Sequence, residues 1–473
     1  MGEAYLDWQK KSGGIKLNDV IEEFKYVAAG KKVNAGDLVN YINGVASKID
    51  YGESVDTQLS NTADTAGKMS VVALDDSRVF VAYYYGSDKY LYGMVVTING
   101  ASISAGIETQ LSTTQNTGSE ISTCLLPNGN VFIAHSYYPT HLYGMVIIID
   151  GTTITVGTDT ALNANNGMGL EISTCLLPNG NVFIAHGYGT YRYLYGMVVT
   201  VDGTTLTKGT DTLIVSNDYY PGYCISACLL HDGNVFIAHG HGGTSNLKLY
   251  GIVCTISGKT ITKGTDTVII DANYSGEDIA ACTLTNGNVF IAHNIGGNNN
   301  LGGIVCKISG TTITAGSNTT ISTTKYTGQG LSVVPLPNQK VFIAYRRNNS
   351  PTYLNGVVCS ISDTTITKGT EKNLNTSDFT GGTPKAVLLP NGIIFISHMY
   401  STSSFLYAQI FSIDESDVPT NQIVATETEQ QVTPATEPPF NAIALSSGVG
   451  GTDTEHNEQV KIARPSAGGD IDG

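Results

Sequence analysis

The sequence predicts an all-β protein, a seven-bladed β-propeller built from four-stranded antiparallel blades. One phrase carries most of that prediction. "LLPNGNVFIAH" stands at 125–135 and again at 176–186, with looser copies at 73–83, 229–239, 283–293, 335–345 and 388–398. Its phenylalanine recurs as Phe80, Phe132, Phe183, Phe236, Phe290, Phe342 and Phe395, at spacings of 51 to 54 residues. A fixed period near 50 marks a propeller or a similar β array. Composition agrees. With 54 glycines, 26 tyrosines and 14% charged residues in 473 positions, the chain suits many short strands and tight turns, and it is too long for one small core.

Four strand-like runs can be read in each copy. In the third they are "EISTCLLP" (171–178), "NVFIAHG" (181–187), "YLYGMVVTVD" (193–202) and "TTLTKGTDTLIV" (204–215). "NG" and "DG" pairs join them, and these favour type I′ hairpin turns, whose two central residues both need positive φ. A circular array must close. "VDTQLSNTADTAG" (55–67) matches the outer strand and following loop of other copies, such as "IETQLSTTQNTG" (107–118). Residues 55–60 are therefore expected to complete blade seven, with "NQIVATE" (421–427) as the rival strand. The propeller is set at residues 51–414.

The flanks differ in character. Residues 1–50 form a small appendage: "LNDVIEEFKYVAA" (17–29) has helical apolar spacing, and "NAGDLVNYINGVAS" (34–47) opens on Asn34, a good helix N-cap. This segment is expected to be partly helical and to dock onto a partner. Residues 415–439 are acidic and rich in Pro and Thr, the composition of a linker. Residues 440–473 read as a short β unit, with His456 in a polar, solvated turn.

Charge and cysteines exclude several classes. A net charge of −15 with five arginines argues against nucleic acid, whose phosphates need a Lys/Arg surface. No apolar run approaches the roughly 20 residues of a membrane span, and residues 1–30 lack a signal-peptide core. A soluble product of cytoplasmic synthesis is expected, with no membrane insertion. Cys124, Cys175, Cys228 and Cys282 share a repeat position held by Val72, Val334 and Val387 in other copies. Cys254, Cys306 and Cys359 share another with Val96 and Val199. A cysteine that interchanges with valine acts as a small buried hydrophobe, so structural disulfides are not expected. Cys224 alone falls outside the pattern.

The histidine closing the phrase, as His135, His186, His239, His293 and His398, is replaced by Tyr83 and Tyr345 in two copies. Tyrosine keeps a hydrogen bond but is a poor stand-in for an imidazole ligand. A blade-stabilising hydrogen bond is the expected role. No metal or cofactor is expected, since no CxxC pair or HExxH is present.

Propeller connectivity separates two faces. One carries near-uniform turns, "PNGN" and "DGTT". The other carries loops that differ between copies, among them 84–90, 136–141, 187–193, 216–223, 271–278 and 346–353. The second set concentrates Tyr, Asn, Asp and Gly, and tyrosine offers a flat apolar face with a hydroxyl, suited to sugar rings and to protein surfaces. Tyr84, Tyr85, Tyr137, Tyr138, Tyr188, Tyr191, Tyr219, Tyr220, Tyr274 and Arg346 are the candidate ligand-binding residues. Glu120, Glu171, Glu277 and Asp278 fall near the channel mouth, where paired carboxylates roughly 5–10 Å apart could hydrolyse a glycoside. Lys68, Cys224 and Gly330 share their repeat slot, so an acidic rim is the better reading. A sialidase-like site would need an arginine cluster and Trp-containing turns, whereas the one tryptophan is Trp8. No nucleophile elbow is present, and no enzymatic activity is expected.

Three stretches together, "FKYVAAGKKVNAGDLVNYING", repeats of the type "LDDSRVFVAYY…LYGMVVTINGASISAG" and "ALSSGVGGTDTEHNEQVKIARP", resemble tail-associated proteins of phages and prophages of Gram-positive bacteria, including phage-tail-like bacteriocins. The resemblance implies a tail-fibre or baseplate component of a virion. Its N-terminal segment would dock to other tail proteins, and its propeller or C-terminal unit would meet a host surface polysaccharide. It transfers no catalytic residues. Such fibres invite a homotrimer, but no coiled coil or fibrous shaft is present to build one. The leading expectation is a receptor-binding protein using the variable propeller face. A structural spacer without ligand binding and a glycan depolymerase are the alternatives.

Overall fold

In the computed structural model the inner strand of every blade abuts the inner strand of the next, and the last, Gly382–Leu388, abuts the first, Thr65–Ala73. The described residues are 56–412, apart from 61–64, 86–89, 116, 138–140, 164–167, 190, 217–220, 243–246, 325–326, 328, 348–352, 376–381 and 401–404. Backbone strands at both ends of the chain are described as well. The chain folds as two units, Gly52–Pro419 and a terminal unit of Met1–Tyr51 with Thr420–Gly473. No helix occurs among the described residues.

Blade three shows the plan. Met168–Leu176, Val182–Tyr188 and Tyr193–Asp202 pair antiparallel in that order. The outer position is filled by two short strands, Thr205–Lys208 and Thr212–Val215, both paired to Tyr193–Asp202. The single outer strand expected from 204–215 is thus broken in the middle. Gly209 sits at the break, where its N–H donates to Val198 O at 2.8 Å. A Cβ at Gly209 would lie 2.6 Å from that oxygen, closer than carbon and oxygen can approach, so the break requires glycine.

The "PNGN" hairpins differ from expectation too. Gly129, Gly180, Gly233 and Gly287 have φ between 79° and 84°, but the residues before them do not have positive φ. Each glycine N–H turns back to the residue three earlier, as Gly180 does to Leu177 O at 3.0 Å. This is a type I turn followed by a left-handed glycine. In blades two and three Pro127 and Pro178 explain why a type I′ turn does not form, because the proline ring locks φ near −65° at the first central position.

Both faces of every sheet are buried against neighbouring blades, so the second strand reads as a continuous apolar run rather than an alternation. Val182 and Ile184 pack towards blade two, while Phe183 and Ala185 pack towards blade four with Val235, Ile237 and Cys254. All seven repeat phenylalanines are fully buried. The eight cysteines are free, and burial pushes the thiol of Cys254 up to about 12. They behave as the small hydrophobes that interchange with valine.

A ring of serines stitches the inner strands. The Ser70 hydroxyl accepts from the Thr123 amide, Ser122 from Thr174, Ser173 from Ala227, Ser226 from Ala281 and Ser332 from Ala386, at 2.9–3.1 Å. Five of the seven junctions are joined this way. The ring closes as the N-terminal match predicts. Thr57–Gln58 pairs with Leu406–Phe411 and occupies the outer position of blade seven. The rival strand at 421–427 and the linker at 415–439 lie outside the described residues.

Among the described residues, the partly helical N-terminal segment is not found. Val20–Val27 is a strand, paired from Val20 to Tyr26 with Gln459–Pro465 and at Tyr26 and Val27 with Val45 and Ala46. Leu38–Ile42 and Val45–Lys48 form a second pair, and Leu38–Ile42 also pairs with Phe440–Ala444. These five strands make a closed barrel, so the two flanks share one unit. "VIEEFKYV" is rich in β-branched and aromatic residues, and its partner strand lies more than 400 residues away. Apolar spacing within a short window cannot separate helix from strand in such a run. Asn34 and His456 lie outside the described residues.

Candidate functional site

The repeated histidines are scaffold. His135 Nε2 donates to Asp159 Oδ1 at 2.9 Å, and His186 to Asp211, His239 to Asp266 and His398 to Asp56 at 2.9–3.0 Å. An ionised carboxylate can only accept, so Nε2 carries the proton. In blade five the partner is neutral: His293 meets Asn318 at 3.0 Å, and burial holds that imidazole below its ordinary pKa. In blade six the Tyr345 hydroxyl donates to Glu371 at 2.7 Å. Asp159, Asp211, Asp266 and Glu371 each stand two residues past the glycine that breaks the outer strand, and that break lets the side chain reach its partner. Asp211 also accepts from Asn163 of blade two at 2.8 Å, and Asp56 accepts from Asn375 of blade six. The acid therefore ties its own blade to the preceding one.

Function is better sought at the channel mouth on the variable-loop face. Each blade presents one residue there, immediately before the regular pairing of its inner strand: Lys68, Glu120, Glu171, Cys224, Asp278, Gly330 and Thr383. In six blades the register slips at this slot, forming a bulge. Glu171, Cys224, Gly330 and Thr383 are left-handed there, with φ of 45–56°. Such a bulge re-aims the side chain. For the three non-glycine residues it also stores conformational strain, on the order of 1–3 kcal/mol each.

These residues converge electrostatically across the axis. Lys68 and Glu120 form an ion pair at 3.0 Å, and Arg192 reaches Glu171 at 3.3 Å. The Lys385 ammonium senses Lys68, Asp278, Glu120 and Glu171, which belong to blades one, five, two and three. Burial, with Lys68 reinforcing it, lowers the Lys385 pKa. Burial raises Asp278 to about 6, against a hydrogen bond from the Gly330 amide and the pull of Lys385. Glu120 is also raised by burial, despite Lys68. Burial alone would lower Lys68, but Glu120 and Glu171 outweigh it and Lys68 is raised. Lys68 and Glu120 stay 45% and 20% exposed, so the mouth is open to solvent. Among the described residues, no group of three His, Cys, Asp or Glu side chains is placed to hold a metal ion.

The candidate binding residues divide. Tyr188 and Tyr191 come together on blade three with Tyr193, Tyr195 and Arg192, beside Tyr223 of blade four. The Arg192 guanidinium lies 4.4 Å over the Tyr223 ring, and Tyr191, half exposed, is tilted against Tyr193 with ring centroids 6.0 Å apart. This aromatic patch adjoins the mouth through the Arg192–Glu171 pair. Arg346 also reaches the mouth, where burial lowers its pKa and Asp278 opposes that. Tyr137 and Tyr188 serve the scaffold as well, edge-on to Tyr143 and Tyr195. Tyr84 is the next-to-last residue of the strand Arg78–Tyr85 in blade one, and Tyr274 sits at φ 68° in the turn before blade five. Tyr138, Tyr219, Tyr220 and the Tyr85 side chain lie outside the described residues, as do most of the loops between second and third strands. Arg192, Tyr223 and Lys385 are additions. Arginine scarcity was the available signal for the first, and a lysine in a serine slot for the last.

No family model matches the chain, and no curated protein matches its sequence. Solved structures do match. One is a polysaccharide lyase, an ulvan lyase bound to -[GlcA(1-4)Rha3S]-, with 9% identity over 78% of this chain and 96% of the other and a TM-score of 0.50. The Penicillium chrysogenum α-L-arabinanase in complex with arabinobiose is 13% identical over 76% and 98%, with a TM-score of 0.44. The Aleuria aurantia lectin, a six-bladed β-propeller with a fucose recognition mode, is 11% identical over 77% and 100%, with a TM-score of 0.40. The expectation of no enzymatic activity is overturned here. It rested on missing local motifs, yet a polysaccharide lyase carries this architecture, so those motifs are no guide to whether the fold is catalytic. What the chain is similar to is a propeller scaffold found on a glycan-active protein.

Proposed function

We propose that the chain is a carbohydrate-binding propeller whose ligand seats on the variable-loop face, over the channel mouth and the blade-three tyrosines. One observation carries the reading: departures from seven-fold repetition gather at that face, as the mixed-charge ring and the Arg192–Tyr223–Tyr191 patch, while the opposite face repeats its turns. Aromatic rings with adjacent charged hydrogen-bonding groups suit stacking on a pyranose and gripping its substituents. The resemblance to phage and prophage tail proteins supports reading this binding as that of a tail-fibre or baseplate protein of a virion, attaching the particle to a host surface polysaccharide. The terminal barrel would face other tail proteins, and a homotrimer belongs to the same proposal. Purified protein incubated with host cells and with isolated wall polysaccharide tests it; absence of binding to both would sink it.

A second reading, cleavage of the bound glycan, is favoured by Asp278. A carboxyl held at about 6 can take and return a proton near neutrality. Shortening of polysaccharide chains on incubation is its test, read by size-exclusion chromatography.

A further inference from the structure

The chain entering blade four clamps the loop between the second and third strands of blade three. The Gly222 amide donates to Arg192 O, and a Cβ at Gly222 would lie 2.5 Å from that oxygen and 2.9 Å from the Gly187 Cα. The next junction repeats the clamp. There the Gly276 amide donates to Leu247 O at 3.1 Å, and a Cβ at Gly276 would lie 2.8 Å from the Gly240 Cα. The side chains set on the two clamps differ. Between blades four and five they are Leu247, which is fully buried, and Glu277; between blades three and four they are Arg192 and Tyr223. The backbone crossing therefore requires neither the arginine nor the tyrosine. Arg192 lies 4.4 Å over the Tyr223 ring and donates to Glu171 at 3.3 Å, while its neighbour Tyr191 is half exposed. Glu171, Arg192 and Cys224 are all left-handed here, with φ of 47–48°, a conformation that is costly for non-glycine residues and gathers at ligand sites. The Arg192–Glu171 pair is reachable from solvent, its side chains 28% and 24% exposed. A second acid adjoins it, since the Cys224 thiol donates to Glu277 O. Around the Tyr223 ring one cation, Arg192, thus faces two acids, Glu171 and Glu277.

We infer that the junction of blades three and four is a subsite for an uncharged pyranose, stacked on the Tyr191 ring with neighbouring hydroxyls on the Arg192–Glu171 pair. A sugar hydroxyl both accepts and donates, so it can take an N–H from the guanidinium and give its own proton to the carboxylate. An ionised carboxylate or sulfate can only accept. On a sugar seated here it would compete with Glu171 for Arg192 and meet the Glu171 and Glu277 charges unpaired. The net charge of −15 acts the same way at long range, repelling polyanions. Tyr223 holds the guanidinium by its ring face, so the fork is oriented before the ligand arrives, and Tyr191 offers a flat apolar face for the C–H side of the ring. This subsite rests on the carbohydrate reading above and names the class of sugar that the same face selects.

An array of neutral oligosaccharides, together with the same backbones bearing uronate or sulfate, tests it with the full chain and three variants. Arg192→Leu and Tyr191→Asn copy the corresponding residues of blade four, Leu247 and Asn246, so both should fold; unchanged thermal midpoints verify this. The expected result is binding of neutral members at least tenfold tighter than of their acidic counterparts, weakened tenfold or more by either substitution. Glu171→Gln keeps an acceptor and frees the Arg192 charge, so it should narrow the gap by raising the affinity for acidic members. Equal or tighter binding of acidic members by the parent chain overturns the subsite and leaves the carbohydrate reading standing. Binding to no saccharide overturns both. Neutral-selective binding that survives Arg192→Leu and Tyr191→Asn overturns the assignment to this junction, and a gap unchanged by Glu171→Gln overturns the ion pair as the source of selectivity.

Discussion

His398 Nε2 donates to Asp56 Oδ1 at 2.9 Å across 342 residues of chain. The same bond is made inside each of blades two, three and four, between partners 24 to 27 residues apart. In blade seven it therefore does a second job, because Asp56 immediately precedes Thr57–Gln58, the strand that closes the ring. Asp56→Ala leaves a buried imidazole without its acceptor, at a cost of about 1–3 kcal/mol, and it also loosens the closing strand. Asp159→Ala should cost a similar amount without opening the ring. Urea unfolding should show comparable losses for the two variants, with faster proteolysis near residues 52–60 only in Asp56→Ala. Equal proteolysis of both would argue that the closing strand is held by its backbone pairing alone.

Gly209 offers a test of the broken outer strand. Gly209→Ala places a methyl against Val198 O and should destabilise by about 1–3 kcal/mol, the usual range for overpacking. Gly203, in the neighbouring hairpin, has φ 58° and open space around it, so Gly203→Asn should be nearly neutral because asparagine tolerates that region. Thermal melts of the two variants distinguish a steric requirement from a conformational one.

Asp278 makes stability depend on pH. Its folded pKa of about 6 exceeds the ordinary 3.8, so between these values the folded state binds the extra proton. Stability from this group accordingly falls as pH rises from about 4 to 6 and stays lower above that. At about 1.4 kcal/mol per pKa unit, the penalty is on the order of 3 kcal/mol. Asp278→Asn keeps an acceptor for the Gly330 amide and removes the titration. The variant should melt higher than the parent at pH 7.5 and alike at pH 4. A constant difference across that range would mean that Asp278 is not the titrating group.

The repeat, the closure and the structural role of the histidine were legible because each leaves a mark at fixed spacing. Tyr83 and Tyr345 in place of histidine already pointed away from a metal ligand, and Asp56 falls within the stretch that matched other outer strands. The acid partner was not legible. Reaching Asp159 from His135 requires the break at Gly157, and a run such as "TTITVGTDTALN" looks like one strand until backbone pairing divides it. At the channel mouth, Glu120, Glu171 and Asp278 were visible as a slot. Lys385 lies two residues beyond its own blade's slot residue, Thr383, so alignment by slot hid its approach to them. The terminal barrel was hidden for another reason: Val20–Val27 acquires its strand character from Gln459–Pro465, which no local window contains.

The serine ring makes the last prediction. It is interrupted at two junctions, by Ala280 between blades five and six and by Lys385 between blades seven and one. At the five intact junctions the serine hydroxyl accepts an inward-pointing amide of the next inner strand, and Val333 supplies the corresponding amide opposite Ala280. Val333 pairs with Ile343, just as Thr123 pairs with Ile133 and Ala281 with Ile291, so its N–H has the same inward orientation. Ala280 is 9% exposed, and a hydroxyl there adds one heavy atom beside the channel. Ala280→Ser should therefore complete a sixth junction and stabilise by about 0.5–1.5 kcal/mol, the net value of one such bond. Ser226→Ala should cost somewhat more, because it strands the Ala281 amide that the hydroxyl now satisfies. If Ala280→Ser is neutral while Ser226→Ala destabilises, the ring responds to unsatisfied amides and gains nothing from an added acceptor. Hydrogen exchange at Val333, slowed or unchanged, decides between the two.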